Sequence, residues 1–338
     1  MKNKKWISLT AAVVLAVTAL PLGVFAAKKD DAKLAKVTLN EVAHSIFYAP
    51  QYVAIEEGYF SEEGLDLTLI TGFGADKVLT ALISGEADIG FMGAEASIYA
   101  YQEGATDPAV NFAQLTQRAG NFLVAREEMP DFKWEDLKGK KVLGGRKGGM
   151  PEMVFEYILR KNGLDPQKDL TIDQSIDFGS TAAAFTGDVS ADFTVEFEPS
   201  ATALEKEGAG YVVASLGVDS GYVPYTSYSA KTSYMEKNPE IIQKFTNVLQ
   251  KGMEYIQSHT PEEIAKVIAP QFAETDLDTV TAIVKRYYDQ DTWKSNLIFE
   301  KESFELLEDI LEDSGELSER VSYENLVTTK YAQEAAEK

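Results

Sequence analysis

Hydrophobic and polar positions along this chain follow two alternating periods. Short runs with an apolar residue at every second position predict β-strands, and longer runs with apolar residues three or four positions apart predict helices. The predicted strands are residues 37–41, 65–70, 87–92, 141–143, 171–173 and 193–195. The predicted helices between them are residues 49–57, 75–84 and 150–161, with another that starts at Ser180 as its N-cap. Strands that alternate with helices form mostly parallel sheets covered by helices, so the pattern predicts an α/β fold.

The last third of the chain has a helical pattern. Apolar residues at helical spacing predict helices near residues 239–257, 277–287 and 304–311, and Thr260-Pro261-Glu262-Glu263 has the composition of a capping box. Two α/β units followed by returning helices indicate a two-lobed protein whose first lobe is discontinuous. We expect lobe I to comprise residues 37–124 and 226–330 and lobe II residues 125–225, with a hinge near residues 223–229 and a frayed tail at residues 331–338.

The amino-terminal residues predict export. Lys2, Lys4 and Lys5 precede a short, almost wholly apolar run that ends in small residues at Ala26, which is the pattern of a secretory signal peptide. The alternative is a membrane anchor, but threonines, a proline and a glycine interrupt the run, and a spanning helix needs about 20 apolar residues. We expect a signal peptide at residues 1–26, a linker at residues 27–36 and a mature protein outside the cytoplasm.

Composition excludes several classes of protein. The net charge of −22 disfavours binding to nucleic acid or anionic membranes. The chain has no cysteine, so it has no disulfide, no thiolate metal site and no cysteine for lipid attachment, and its two histidines make a histidine metal cluster implausible. We therefore expect no metal, no cofactor and no catalytic residue, and we expect a monomer.

Three signatures carry a family resemblance. The segment from Ala49 to Leu65 contains Gly58-Tyr59-Phe60, the segment Leu82 to Gly90 reads Leu-Ile-Ser-Gly-Glu-Ala-Asp-Ile-Gly, and Val195 to Pro199 ends in Glu-Pro. In this order they resemble the NMT1/THI5-like and SsuA-like solute-binding proteins. The resemblance covers about residues 37–317. It departs from the family pattern at Phe197, where a tryptophan is common, and in the missing lipidation cysteine.

The resemblance implies a periplasmic-binding-protein fold that holds a small molecule between its lobes. It also implies two protein partners, an ABC permease and its ATPase. Ligands of open α/β sheets bind at the carboxyl ends of the strands. This rule selects candidate ligand-binding residues in both lobes: His44, Phe47, Tyr48, Phe73, Gly74, Asp76, Glu95, Arg146, Gly149, Met150, Ser180, Thr181, Glu196 and Glu198.

Each candidate has an alternative role. Phe47 and Tyr48 either stack on a planar ligand or cover the sheet edge, and His44 either donates to a ligand or caps the next helix. The glycines around Phe73 either admit a ligand or form a tight turn. Glu198 resembles the glutamate that, in pyrimidine-binding members, accepts hydrogen bonds from an amino-substituted ring; the alternative is a structural acid at the start of a helix.

The charge of the candidate residues favours one ligand class. The helix start at Gly149 and Met150 suits an anion, and Arg146 adds positive charge, but acidic candidates outnumber it. We therefore expect a neutral or cationic nitrogen heterocycle, such as a thiamin pyrimidine precursor. Three alternatives stay open. One is an alkanesulfonate, taurine or nitrate-like anion for the same type of importer. Another is ligand presentation to a membrane sensor, and the third is an enzyme like the fungal pyrimidine synthases, whose cysteine- and histidine-rich iron site this chain lacks.

Overall fold

The computed structural model describes residues 34–177 and 179–338. The predicted signal peptide lies outside the described residues, as does most of the predicted linker. The strands are β1 Ala35–Glu41, β2 Leu65–Thr71, β3 Ile89–Met92, β4 Ala109–Thr116, β5 Asn121–Ala125, β6 Lys141–Leu143, β7 Thr171–Asp173, β8 Phe193–Phe197, β9 Tyr211–Ser215 and β10 Thr226–Lys231.

The helices include every one that the periodicity predicted. They are α1 Ala49–Glu56, α2 Tyr59–Glu62, α3 Ala75–Ser84, α4 Glu95–Gln102, α5 Met150–Lys161, α6 Thr181–Gly187, α7 Ser200–Lys206, α8 Leu216–Ser220, α9 Thr232–Lys237, α10 Pro239–Ser258, α11 Pro261–Ile268, α12 Leu277–Asp289, α13 Lys301–Asp313, α14 Tyr323–Leu326 and α15 Lys330–Ala336. Short 3₁₀ turns lie at Ile46–Tyr48, Trp134–Leu137 and Ala269–Phe272.

The strands form two sheets with the same arrangement. The first has the order β2-β1-β3-β10-β4 and the second the order β7-β6-β8-β5-β9. In the first sheet β1 is parallel to β2 and β3, whereas β10 is antiparallel to β3 and β4. In the second, β6 is parallel to β7 and β8, whereas β5 is antiparallel to β8 and β9. The predicted two-lobed α/β fold is confirmed, with one reversed strand in each sheet.

The reversed strands are those that follow a crossing between the sheets. The chain leaves the first sheet at Thr116 and enters the second at Asn121, and it returns between Ser215 and Thr226. The first crossing therefore precedes the predicted boundary at residue 124, and most of the predicted hinge segment is strand β10. The polar composition of this segment suggested a hinge, but its hydroxyls form hydrogen bonds across the sheet. One such bond joins the hydroxyls of Thr226 and Thr116 at 2.6 Å.

Packing of amphipathic helices fills the core beside each sheet. Helix α10 buries Phe245, Leu249 and Met253, which lie on one face because they are four residues apart. Helix α11 begins with the predicted capping box, in which the Thr260 hydroxyl accepts from the Glu263 N–H and the Glu263 carboxylate accepts from the Thr260 N–H. These helices confirm the pattern predicted for the last third of the chain.

Two local predictions need correction. The carboxyl-terminal residues, predicted to be frayed, form α15, which packs on α10 and buries Tyr331 and Ala332. Small and aromatic residues on one face supply this contact, although the segment is polar on average. Ser180 stands at the N-cap position of α6, but its side chain makes no capping hydrogen bond.

Among the described residues, no helix is long and apolar enough to cross a membrane.

Candidate ligand-binding cleft

A cleft opens where the carboxyl ends of the two sheets face each other. The space inside it that a water-sized sphere can occupy is about 70 Å³, and the empty volume is about 600 Å³ when the open side is counted. Loops after β1, β2 and β3 line it from the first sheet, and the loop after β6 and the end of β8 line it from the second. The lining residues are Val42, Tyr48, Gly74, Ala75, Gly93, Glu95, Gly145, Arg146, Gly149, Met150, Pro151, Phe197, Tyr225 and Thr226.

The cleft brings together a subset of the residues selected from the sequence. These are Tyr48, Gly74, Glu95, Arg146, Gly149 and Met150. Tyr225 and Thr226 were missed because the return strand β10 was interpreted as part of a hinge. The rule applied to the sequence selects residues at the carboxyl ends of parallel strands. It does not select Tyr225 and Thr226, because β10 is antiparallel to β3 and its amino end faces the cleft.

Glu95 is a nearly buried acid in this cleft. It is the first residue of α4, only 3% of it is exposed, and its Oε2 atom has no hydrogen-bond partner. Burial raises the pKa of Glu95 to about 7; nearby backbone N–H groups and the Arg146 guanidinium act in the opposite direction. A buried carboxylate with an unpaired oxygen is costly, so a ligand donor at this position would be stabilising.

Arg146 supplies positive charge from the opposite lobe. Its guanidinium lies 3.4 Å from the Asp76 carboxylate, and both side chains are about half exposed. Asp76 itself is not part of the lining. The next residues of the same loop make two more contacts: Lys147 pairs at 3.2 Å with Glu316, which follows α13, and the Tyr99 hydroxyl of α4 donates to the Gly148 carbonyl. This glycine-rich loop therefore contacts the first lobe through the Arg146–Asp76 pair, which solvent and salt can weaken, and through the Tyr99 hydrogen bond.

Aromatic rings form the apolar part of the lining. Tyr48, Phe197 and Tyr225 line the cleft, and Phe47 lies behind them with its ring 5.1 Å from Tyr48 and 5.6 Å from Tyr225. Phe47 is fully buried, so the structure assigns it to the core, and of the predicted pair only Tyr48 reaches the cleft. Tyr48 and Tyr225 are each only 2% exposed, whereas Phe197 is partly exposed, so Phe197 offers most of the aromatic surface that a planar ligand could contact.

The family assignment rests on sequence as well as fold. The NMT1/THI5-like family matches residues 46–264, which is well over half of the chain. YtlA of Bacillus subtilis (strain 168) is named as a binding protein. It is 45% identical to this chain over 308 residues, which cover 91% of this chain and 92% of that protein. This chain belongs to the NMT1/THI5-like family.

More distant similarities are to a synthase and to another binding protein. A 4-amino-5-hydroxymethyl-2-methylpyrimidine phosphate synthase of Aspergillus parasiticus is 24% identical and covers 62% of this chain and 63% of that protein. The alkanesulfonate-binding protein SsuA of Xanthomonas axonopodis pv. citri, solved with bound MOPS, has a TM-score of 0.70 at 17% identity over 88% of this chain and 99% of that one. The latter similarity establishes the fold, which is that of periplasmic binding proteins.

His44 lies near the cleft of this protein and forms hydrogen bonds with Glu41 and Gln271. Its Nδ1 is 2.9 Å from Glu41 Oε1 and its Nε2 is 2.9 Å from the Gln271 carbonyl oxygen. The hydrogen bond to Glu41 raises the pKa of His44 above its ordinary value. The following turn is capped by Ser45 and not by His44. His44 is not part of the lining, and its contact with a ligand stays a prediction.

Glu198 is satisfied by protein groups. Its carboxylate pairs with Arg286 at 2.5 Å and accepts from both the N–H and the hydroxyl of Thr202, each at 2.9 Å. It is 1% exposed and does not line the cleft. Burial raises the pKa of Glu198, against the effect of Arg286 and Thr202. These contacts match the alternative interpretation, a structural acid at the start of α7.

The remaining selected residues also lie outside the lining. Glu196 is buried on β8, where it accepts from the Thr194 hydroxyl at 2.6 Å and from Thr181, and burial raises the pKa of Glu196 to about 7. Ser180 is exposed. Phe73 is 64% exposed and has a left-handed backbone with φ of 56°. The turn that carries Phe73 brings Gly74, and not the ring, to the cleft.

Proposed function

We propose that this protein is the exported solute-binding component of an ABC importer and that it holds a small nitrogen heterocycle in the cleft between its lobes. The cleft supports the proposal, because it combines aromatic residues with a buried carboxyl group, one oxygen of which accepts no hydrogen bond. Tyr48, Phe197 and Tyr225 would contact the faces of a planar ring, and Glu95 would accept from its N–H groups. Arg146 would add an electrostatic contact from the second lobe.

Family membership supports the same conclusion. A protein of this family that captures and releases a solute unchanged needs two lobes and a cleft, and it needs no catalytic group. The partners would be the permease and ATPase of the importer, and a membrane sensor is the alternative partner. Neighbouring genes for a permease and an ATPase would favour the importer.

Calorimetry with the purified protein tests the ligand class. The panel should contain aminopyrimidines, flavins, alkanesulfonates, nitrate and simple amines. We expect one heterocycle to bind in the micromolar range or tighter, to be recovered unchanged, and to lower the radius of gyration in solution scattering as the lobes close. Tight binding of an alkanesulfonate or nitrate, with no heterocycle bound, would support the alternative ligand class, and chemical conversion of the bound compound would contradict the transport role.

Variants at an aromatic residue of the cleft sharpen this test. Phe197→Leu removes a ring from the lining and should weaken binding of a planar heterocycle about 3- to 10-fold, the equivalent of one aromatic contact. Phe132→Leu is the matched control, because Phe132 is a half-buried ring of the same lobe that does not line the cleft. Equal effects of the two variants would mean that the ring at position 197 does not contact the ligand.

A further inference from the structure

The acid in the cleft and the start of a helix from the other lobe meet at one position. Glu95 begins α4 in the first lobe, Met150 begins α5 in the second, and both line the cleft. The carboxylate folds back over Gly93, where an added Cβ would overlap Oε2. A glycine at this position therefore gives the carboxylate the room to lie against the cleft wall.

The start of α5 has the features of an anion-binding position. The helix has twelve residues, and its N-cap is Gly149, which has no side chain. The acid of its first turn, Glu152, accepts from the Gly148 N–H at 3.1 Å. Its first N–H groups and the dipole favour negative charge, and the Arg146 guanidinium lies in the same loop. Both act on the Glu95 carboxyl, because the Met150 N–H and Arg146 each lower its pKa, although burial outweighs them.

The carboxylate of Glu95 thus takes the position that a ligand anion would need. A second anion in the same cleft would face a like charge at short range with little water between them, and that repulsion is strong in a partly buried site. Arg146 offers little compensation, since its guanidinium already lies beside Asp76 at 3.4 Å. The environment of the Glu95 Oε2 atom suits a hydrogen-bond donor of a ligand, because this oxygen is buried and accepts no hydrogen bond.

We propose that Glu95 is the specificity-determining residue of this cleft, a built-in anion that excludes anionic solutes from the start of α5 and accepts a hydrogen bond from a neutral or cationic solute. The inference rests on the proposed function, because it concerns the selectivity of the same cleft. It assigns the ligand to the class of N–H donors and separates this protein from binding proteins for sulfonates and nitrate.

Glu95→Gln is the direct test, with ethanesulfonate and nitrate as probes in a buffer free of sulfonates. The variant keeps the shape of the side chain and removes its charge, so we expect both anions to bind at least about tenfold more tightly than to the unmodified protein. Glu103→Gln is the matched control, since it removes the same charge from the exposed far end of α4 and should change nothing. Calorimetry measures all three proteins.

The outcomes separate this inference from the proposed function. Unmodified protein that binds either anion as tightly as Glu95→Gln, or a folded Glu95→Gln that gains no anion binding, overturns the role of Glu95. Failure of every solute to close the lobes overturns the proposed function, and solution scattering on the unmodified protein measures that outcome separately. A gain confined to Glu95→Gln and absent from Glu103→Gln supports the specificity role.

The unmodified protein offers a second measurement that does not depend on a variant. Because the pKa of Glu95 is raised to about 7, its carboxyl is mostly neutral at pH 5.5 and mostly ionised at pH 8.5. Ethanesulfonate binding should strengthen at least about tenfold from pH 8.5 to pH 5.5, and less so in Glu95→Gln. An equal pH dependence in both proteins would contradict the inference. The groups that interact electrostatically with Glu95 are common to both proteins: Arg146, Tyr48, Tyr99 and Tyr225. Further charges lie next to these groups in both proteins, since Asp76 pairs with Arg146, and Glu152 and Glu316 act on Tyr99.

Discussion

At the scale of single residues, burial alone does not separate a binding acid from a structural one. Glu95 and Glu198 are both almost fully buried. They differ in their partners, because Glu198 bonds to Arg286 and Thr202 whereas one oxygen of Glu95 has none. Since Arg286 is 88 residues from Glu198 along the chain, the pairing arises only when α12 packs beside α7.

Replacing the structural acid should affect stability and leave ligand binding unchanged. Glu198→Gln removes the charge that Arg286 faces in a largely buried setting, so we expect the free energy of unfolding to fall by about 1–3 kcal/mol. Urea unfolding measures this loss. Affinity for a bound solute should stay within about twofold by calorimetry, because the carboxylate does not line the cleft.

Glu205→Gln is the control for Glu198→Gln. Glu205 bonds to the other end of the same guanidinium at 3.2 Å and is about one-third exposed, so its loss should cost less than about 1 kcal/mol. If Glu198→Gln instead loses solute affinity tenfold or more and keeps its stability, the ligand role suggested by the family motif is correct.

At the scale of helices and strands, close backbone contacts decide which glycines are required. Gly252 lies in the middle of α10, where a glycine disfavours the helix by about 1 kcal/mol relative to alanine. An added Cβ would overlap the carbonyl oxygen of Pro50 in α1, against which α10 packs. The glycine therefore allows two helices to approach each other, at the cost of some helix propensity.

Gly252→Ala should destabilise the protein in spite of the gain in helix propensity. The neighbouring atom is backbone, which has little freedom to move, so we expect a loss of about 1–3 kcal/mol in the free energy of unfolding. Gly187→Ala is the matched control, since no atom lies within 4 Å of a Cβ at that position, and its stability should change by less than about 1 kcal/mol. A Gly252→Ala variant as stable as the unmodified protein would show that α1 and α10 can separate without cost.

At the scale of the whole molecule, several buried groups titrate near neutral pH and act in one direction. Burial raises the pKa of Glu95 and of Glu196 to about 7 and the pKa of Glu152 to about 8. The hydrogen bond to Glu41 raises the pKa of His44. A pKa that is higher in the folded state than in the unfolded state adds stability below the unfolded value, and this stability is lost as the pH rises through the folded value.

The protein should therefore be more stable in weakly acidic than in weakly basic solution. We expect the melting temperature to be at least about 5 °C higher at pH 5.5 than at pH 8.5, since one unit of pKa difference corresponds to about 1.4 kcal/mol. Differential scanning calorimetry across this range measures the effect. In the triple variant with Glu95→Gln, Glu152→Gln and Glu196→Gln, the melting temperature should depend less on pH. A melting temperature that is constant or rises toward pH 8.5 would contradict the assignment of these raised pKa values.

Local sequence determined the fold class of this protein and part of its secondary structure, although strands β4, β5, β9 and β10 were not predicted. Helices α3, α5 and α11 and strands β1, β6 and β7 follow from periodicity, capping residues and glycine stops, which act within a few residues of chain. The alternation of these elements sufficed for two α/β sheets, and the rule of carboxyl strand ends led to Tyr48, Glu95 and Arg146. These features depend on short-range physics, so no knowledge of distant contacts was needed.

Only the tertiary structure decided which polar groups were already paired and which faced the cleft. The pairing of Glu198 with Arg286, the network around His44, and the entry of the polar strand β10 into the first sheet each join segments far apart in the chain. Whether a buried polar group is satisfied depends on partners that folding brings from elsewhere, and burial without a partner is what separates Glu95 from the other acids.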